Sequence, residues 1–156
     1  MTSAPRPFDT VLVANRGEIA VRVLRAAKES GLRGVAVYSD PDTGSLHVEN
    51  ADQAVHLPGT TLADTYLNGD AIIEAARSTG AQAIHPGFGF LSERADFANA
   101  VKAAGLIWIG PPADAIDTMG DKISARRCMI ESGVPVTPGE EISMGGDSDH
   151  LGVLAS

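Results

Sequence analysis

The sequence predicts an α/β domain with a mostly parallel sheet and helices on both faces. Short apolar runs of strand length alternate along the chain with longer segments of helical periodicity. The runs are continuously apolar, which is typical of strands buried on both faces. Because consecutive parallel strands need a crossover between them, this alternation favours a sheet covered by helices on each side.

The first strand, TVLVAN at 10–15, precedes a predicted helix over 17–31. Glu18 suits the positive end of this helix, and Gly31 can close it. Its apolar side comprises Ile19, Ala20, Val23, Leu24 and Ala27. That side is expected to face the sheet.

Strands and helices then continue to alternate. Strands are predicted over 34–39, 52–58, 81–86 and 106–111, and helices over 66–80, 92–105 and 111–133. A polar loop over 40–45 follows the second strand, Ser92 is the expected N-cap of its helix, and Gly120 is a weak point in the last helix. The predicted inward residues are Leu67, Ile72, Ile73 and Ala76 in the helix over 66–80, and Phe97, Ala100 and Val101 in the helix over 92–105. The expected fold class is therefore Rossmann-like.

Composition narrows the class of protein. The chain has 156 residues, 44% of them hydrophobic, which suits one globular domain. Its net charge of −8 argues against nucleic acid as a partner. No apolar stretch approaches the roughly 20 residues of a membrane helix, and MTSAPRPFDT lacks the apolar core of a signal peptide. Cys128 is the single cysteine, so an internal disulfide is impossible, and a cytoplasmic protein is expected.

Several common catalytic classes lack their motifs. The turn ANRGEIA after the first strand has one glycine instead of G-x-G-x-x-G, which argues against a dinucleotide site. Neither a P-loop nor a G-x-S-x-G elbow occurs, and the four histidines lack zinc-ligand spacing. No metal ligand is therefore expected within the chain. Ligands are expected near the strand-to-helix loops at 15–18, 85–93 and 110–112, at the carboxyl edge of the sheet.

Three segments together resemble a known family. VLVANRGEIAVRVLRAAKE, AIHPGFGFLSERADFA and WIGPPADAIDTMGDKISARR are similar, in order, to the start of biotin carboxylase. The likeness is greatest to the alpha chains of bacterial acyl-CoA carboxylases, such as acetyl- and propionyl-CoA carboxylase. The resemblance divides the chain into a disordered N-terminus (1–7), the biotin carboxylase N-terminal or pre-ATP-grasp domain (8–139) and a tail towards an absent ATP-grasp domain (140–156).

The resemblance implies an ATP-grasp ligase. In that family ATP and bicarbonate give carboxyphosphate, and the carboxyl group passes to N1 of biotin on a carrier protein, with Mg²⁺ on the phosphates. The implied cofactors are ATP, Mg²⁺ and biotin, and the implied partners are a biotin carboxyl carrier domain and a carboxyltransferase subunit. Because the later lid and catalytic residues are not in these 156 residues, the chain alone is expected to be inactive, with no catalytic residue of its own.

The same resemblance assigns a few residues. Lys122 in MGDK matches the lysine that reaches the ATP phosphates; the competing interpretation is a solvated lysine near a helix start. Phe88 and Gly89 match the loop beside biotin, with phenylalanine where the family often has tyrosine; alternatively, Phe88 and Phe90 only plug the edge of the domain against the missing ATP-grasp body. His85 is expected to be a structural hydrogen bonder.

A charged stripe follows the first helix. Glu18, Arg22, Arg25 and Glu29 cluster on the side opposite the sheet-facing residues. This stripe (defined by these four residues) is either a solvated face with a weak Glu18–Arg22 pair or, following the resemblance, the contact of a two-fold homodimer through Arg22, Arg25 and Glu29.

Some residues and alternatives stay open. Asn15, Arg16 and Glu18 are expected to organise the first turn, and Glu93 to stabilise the first turn of the next helix. The alternative functions are the first domain of another ATP-grasp ligase, such as a purine-synthesis carboxylase or carbamoyl-phosphate synthase, and a non-catalytic α/β assembly module. The sequence does not specify the acyl-CoA.

Overall fold

A five-stranded parallel sheet forms the centre of the protein. The computed structural model describes residues 6–120 and 122–137. The strands are β1 (Thr10–Val13), β2 (Arg33–Tyr38), β3 (Gln53–His56), β4 (Ala83–His85) and β5 (Ile107–Trp108), in the spatial order β3-β2-β1-β4-β5. All four pairings are parallel. The predicted fold class is confirmed.

The helices alternate with the strands as predicted. They are α1 (Gly17–Glu29), α2 (Leu46–Glu49), α3 (Gly69–Thr79), α4 (Ala95–Ala103), α5 (Ala113–Gly120) and α6 (Lys122–Glu131), with 3₁₀ turns at Asp40–Asp42 and Phe90–Glu93. The structure describes α5 up to Gly120 and α6 from Lys122, and the residue between them lies outside the described residues, so the weak point predicted at Gly120 stays a prediction.

Two hydrophobic layers cover the sheet. On one face Leu12, Val35 and Ile84 pack with residues of α3 and α4 such as Ile72 and Val101. On the other face the alternate strand residues pack against α1; this cluster is Val13, Ala20, Leu24 and Ala36. Successive residues of a strand point to opposite faces, so a sheet covered on both sides needs continuously apolar strands. That requirement explains the uninterrupted TVLV run of β1.

Two helices begin later than the sequence predicts, and the first of them is α3. The helix predicted from residue 66 begins at Gly69, because the Asn68 side chain caps it by accepting a hydrogen bond from Ala71 N–H at 3.1 Å. Leu67 therefore lies outside the helix and is 41% exposed, contrary to its predicted inward role. Ile72, Ile73 and Ala76 are buried as predicted.

The fourth helix also begins later than predicted. Ser92 is not its N-cap: the 3₁₀ turn Phe90–Glu93 holds Ser92, and α4 begins at Ala95. Glu93 belongs to that turn and not to the first turn of α4. In α4 Phe97 and Val101 are buried as predicted, whereas Ala100 is exposed. The polar loop expected over 40–45 contains the 3₁₀ turn Asp40–Asp42.

The chain forms two compact units, divided after Gly120. The first contains the sheet and α1 to α5. In the second, α6 is closed by Gly133 in a left-handed conformation (φ +72°), with Val134 N–H donating to Met129 C=O at 2.9 Å. The predicted tail, 140–156, lies outside the described residues. So do residues 1–5 of the predicted disordered N-terminus, whereas Arg6 donates to Gly31 C=O at 2.7 Å.

The packing of α1 predicts the cost of a cavity. Leu24 is 2% exposed and closes directly over Gly34. Leu24→Ala is expected to lower the free energy of unfolding by about 2–5 kcal/mol, measured by urea denaturation followed by circular dichroism. The exposed neighbour Lys28→Ala is the control and should stay within about 0.5 kcal/mol of the unsubstituted chain. Equal effects of the two substitutions would mean that α1 does not pack on the sheet through Leu24.

Candidate functional site at the switch point of the sheet

Two loops diverge at the carboxyl edge of the sheet. The chain runs from β1 to β2 on one side, whereas β4 lies on the other side of β1. The crevice between β1 and β4 is therefore the topological switch point, where ligands bind in open α/β sheets. The loop after β1 carries Asn15 and Arg16, and the loop after β4 carries residues 86–93.

Asn15 joins these two loops. It is 2% exposed, and its Nδ2 donates to Pro86 C=O at 2.8 Å and to Phe88 C=O at 2.9 Å. Its Oδ1 accepts from Arg16 N–H at 2.9 Å. The predicted role of Asn15 in its own turn is thus present, but its longer-range role is to hold the loop after β4.

His85 supports the same loop from within. Its Nδ1 accepts a hydrogen bond from Gly87 N–H at 3.0 Å. Burial lowers the pKa of His85, which favours the neutral ring that such an acceptor requires. This is the structural hydrogen bond expected from the sequence.

The two phenylalanines of the loop have different environments. Phe88 is 77% exposed, whereas Phe90 is partly buried and stacks on Tyr66 with ring centroids 5.8 Å apart and planes 11° apart. Gly89 between them has φ +68° and ψ −167°, a conformation open essentially to glycine alone. Phe90 therefore packs on the core of this domain, whereas the exposure of Phe88 leaves both of its predicted roles, the biotin contact and the plug against an ATP-grasp body, untested.

A polar cluster is centred on Asp42 and includes Tyr66, the residue on which Phe90 stacks. Asp42 Oδ2 accepts from Tyr66 Oη–H at 2.6 Å, from Ser39 Oγ–H at 2.9 Å and from Arg16 Nη1 at 3.4 Å. The Arg16 guanidinium carbon lies 5.6 Å from the Tyr66 ring centroid and 6.0 Å from that of Phe90. Cation–π attraction therefore adds Arg16 to the contacts that hold Phe90.

Burial and hydrogen bonding set the protonation states of this cluster. Burial by itself would raise the pKa of Asp42, but the hydrogen bonds from Tyr66 and Ser39 and the charge of Arg16 outweigh it, so the pKa is lowered. Burial, together with the hydrogen bond to Asp42, raises the pKa of Tyr66 to about 12. At neutral pH a charged Asp42 therefore accepts from a neutral Tyr66.

Asp42 and Tyr66 were not predicted as site residues. The signal available was the acidic loop DPDTGS directly after the second strand, at the ligand-binding edge of the sheet. Tyr66 is the first residue of a segment that was predicted to be helical, and no pattern marked it as a site residue. It is 1% exposed because of tertiary packing, which the sequence does not show.

The charged stripe is exposed on α1, as predicted. All four of its residues are exposed, and Arg25 Nε donates to Glu29 Oε1 at 2.8 Å. Among the described residues this Arg25–Glu29 pair replaces the expected Glu18–Arg22 pair. An exposed i, i+4 pair contributes at most about 0.5 kcal/mol, so the pair fits the solvated-face alternative and leaves the dimer alternative untested.

Lys122 is the first residue of α6, in the second compact unit. Its side chain lies outside what the structure describes, so the structure leaves its predicted role untested. Within residues 6–120 and 122–137 no three His, Cys, Asp or Glu side chains form a metal-binding group. None of the helices in the same ranges is long and apolar enough to span a bilayer.

The family model described as "Biotin carboxylase, N-terminal domain" matches residues 7–116. The chain belongs to the biotin carboxylase N-terminal domain family. This assignment favours the biotin carboxylase prediction over the first domain of another ATP-grasp ligase and over a non-catalytic module.

Curated relatives place this biotin carboxylase N-terminal domain within longer proteins. The chain is 58% identical over 131 residues to the mitochondrial methylcrotonoyl-CoA carboxylase subunit alpha of Oryza sativa subsp. japonica, covering 84% of the chain and 18% of that relative. It is 57% identical over 132 residues to urea amidolyase of Saccharomyces cerevisiae, covering 85% and 7%. The chain thus spans less than a fifth of either relative, and its likeness is not restricted to bacterial acyl-CoA carboxylases.

Among solved structures, the biotin carboxylase domain dimer of the Hydrogenobacter thermophilus 2-oxoglutarate carboxylase was determined with MgADP, ADP and bicarbonate. It matches this N-terminal domain with a TM-score of 0.80 and 46% identity, covering 87% of the chain and 30% of that structure. At this identity the likeness extends from the fold to the family.

The crowding of Asn15 against the loop leads to a prediction on stability. A Cβ added at Gly87, where φ is +73°, would lie 2.6 Å from Asn15 Nδ2. Gly80 is the matched control, since its φ of +70° is similar and nothing lies within 4 Å of its Cβ position. We expect Gly80→Ala to cost about 1–2 kcal/mol of unfolding free energy from backbone strain, and Gly87→Ala about 1–3 kcal/mol more from overpacking, by urea denaturation. Equal losses of unfolding free energy in the two variants would show that the Asn15 side chain moves aside and does not fix the loop.

Proposed function

We propose that the chain is the first domain of an ATP-dependent biotin carboxylase of the ATP-grasp type. The complete protein would carboxylate carrier-bound biotin with bicarbonate and MgATP, as the first half-reaction of acyl-CoA carboxylation. Family membership supports this proposal, and so does the solved relative bound to MgADP and bicarbonate. Because the chain spans only 18% of its methylcrotonoyl-CoA carboxylase relative, we expect the isolated chain to be inactive.

The loop that presents Phe88 and Gly89 carries the proposal. Nothing lies within 4 Å of the Cβ position of Gly89, so a flat ring can approach the peptide backbone there. The exposed Phe88 ring offers an apolar wall beside it. A thin backbone next to an aromatic side chain suits the ureido ring of biotin, which is planar and polar at its edge. Phe88 lacks the hydroxyl that the family often has here, so its proposed contribution is apolar contact.

ATP and Mg²⁺ are proposed to bind mainly in the ATP-grasp domain. This chain would contribute Lys122, whose ammonium group suits a phosphate oxygen. The proposed partners are a biotin carboxyl carrier domain and a carboxyltransferase subunit, in the cytoplasm. Relatives named for methylcrotonoyl-CoA and for urea are similar to the chain to almost the same extent. We therefore propose that the carboxyltransferase, and not this domain, selects the carboxyl acceptor.

The proposed phosphate contact is tested in the complete protein with Lys122→Met. A charge-assisted contact of about 1.5–3 kcal/mol predicts a rise in KM for ATP of roughly ten- to a hundred-fold, measured by bicarbonate-dependent ATP hydrolysis in the presence of biotin. Lys102→Met, an exposed lysine of α4, is the matched control and should leave KM for ATP unchanged. An unchanged KM for Lys122→Met would assign Lys122 to the solvated surface. Absence of biotin-dependent hydrolysis in the unsubstituted protein would overturn the proposed function.

The charged stripe is proposed as the contact of a two-fold homodimer. Its arginines are exposed, and a guanidinium group can bind a carboxylate through two parallel hydrogen bonds. A two-fold axis lets the same patch act in both subunits. The solved relative described as a biotin carboxylase domain dimer supports dimerisation, and the choice of the stripe as the contact rests on the resemblance and on its exposed arginines.

Charge reversal tests the proposed interface. Arg22→Glu in the complete protein is expected to raise the dimer dissociation constant at least tenfold, about 1.4 kcal/mol, by sedimentation equilibrium. Arg77→Glu makes the same change on α3, which packs on the opposite face of the sheet, and is expected to leave the dimer intact. If Arg22→Glu changes the constant by less than about twofold, the stripe is only a solvated surface.

A further inference from the structure

We propose that Asn15 is a positioning residue for the biotin half of the reaction. Its amide holds the backbone of the loop after β4 and thereby sets where Phe88 and Gly89 meet the biotin ring. The inference rests on the proposed function, and it assigns a role to a residue that need not touch the substrate.

The hydrogen-bonding capacity of the Asn15 amide is directed at this loop. Both of its Nδ2 donor interactions go to the carbonyls of Pro86 and Phe88, at 2.8 and 2.9 Å. The residue is 2% exposed, so water does not replace these partners readily. Aspartate has the same shape but no donor, and serine has a single donor, so neither can hold two carbonyls. The observed conformation of the loop therefore requires asparagine rather than aspartate or serine at position 15.

The Asn15 amide is closely packed against the backbone of the loop after β4. Asn15 Nδ2 lies 2.6 Å from where a Cβ of Gly87 would be, so the loop backbone rests directly on the amide group. Close-packed interiors transmit such displacements, because no empty space absorbs them. A change at Asn15 is therefore expected to move the backbone on either side of Gly87, including Phe88.

A second anchor lies on the far side of Phe88 and Gly89. Phe90 stacks on Tyr66, and the guanidinium of Arg16 lies within 6.0 Å of the centroids of both rings. Asn15 and Arg16 are consecutive in the loop after β1, so this one loop holds the other loop before and after its exposed aromatic residue. Phe88 itself remains 77% exposed between the two anchors. A fixed backbone that presents a solvent-exposed ring is the arrangement expected of a preorganised binding surface.

An ordinary buried asparagine would serve stability alone. The two roles differ in what they change: a structural role predicts loss of stability and equal effects on both substrates, whereas positioning predicts an effect on biotin alone. A displacement of about 1 Å at a substrate-binding loop can lower the rate by up to about a hundredfold.

The experiment compares Asn15→Asp with Asn68→Asp in the complete protein. Asn15→Asp keeps the acceptor for Arg16 N–H and removes both donors to the loop. Asn68→Asp makes the same chemical change at the N-cap of α3, where the oxygen that accepts from Ala71 N–H is retained. Bicarbonate-dependent ATP hydrolysis is measured with free biotin and ATP varied in turn, and circular dichroism and thermal melting report the fold.

For Asn15→Asp we expect KM for biotin to rise at least tenfold, with KM for ATP within twofold of the unsubstituted protein. Asn68→Asp should change neither. If Asn15→Asp does not fold, Phe90→Leu, which breaks the second anchor and leaves Asn15 intact, carries the same expectation. An unchanged KM for biotin, or equal rises in both KM values, overturns the positioning role. Absence of biotin-dependent hydrolysis in the unsubstituted protein instead overturns the proposed function itself, so the two failures are distinguishable.

Discussion

The hydrogen bonds from Asn15 to the loop after β4 are the interaction on which the geometry of the candidate site depends. The parallel sheet brings the ends of β1 and β4 side by side, and it leaves their loops to diverge at the switch point. Divergent loops share no backbone ladder beyond Ala14, whose N–H donates to His85 C=O at 2.9 Å. A side chain must therefore continue the connection, and the buried amide of Asn15 does so.

The two faces of α1 illustrate how one helix serves both the fold and the surface. Leu24 is buried against the sheet, whereas Arg25, the next residue, is exposed and paired with Glu29. Burial of the apolar side stabilises the helix by kilocalories per mole, whereas the surface ion pair adds only a few tenths of a kilocalorie per mole. The residues on the charged side therefore contribute little to folding, so binding to a partner can determine which residues lie there.

The sequence predicted what depends on local pattern. The alternation of apolar runs and helical segments was sufficient for the parallel sheet and for the face of α1 that meets it. The start of α3 was misplaced because the local cap by Asn68 was overlooked, whereas Ser92 lies in a 3₁₀ turn next to Phe90, which is held by the distant Tyr66. Propensity cannot anticipate a partner 24 residues away in the chain. The Asp42–Tyr66 cluster was missed because its two residues are also 24 positions apart.

The energetics of Phe90 explain why the loop needs more than one anchor. Phe90 has φ +51°, a left-handed conformation that costs a non-glycine residue about 1–2 kcal/mol. Stacking on Tyr66 stabilises this conformation by about 0.5–1.5 kcal/mol, and cation–π attraction to the partly exposed Arg16 guanidinium stabilises it by about 0.5–1 kcal/mol. These terms nearly cancel, so the aromatic contacts alone do not define one conformation of the loop. The decisive contribution is left to the hydrogen bonds of Asn15, because leaving a buried amide without its partners would cost about 1–3 kcal/mol. The strain at Phe90 is therefore tolerated because contacts of its own ring offset it and Asn15 fixes the loop.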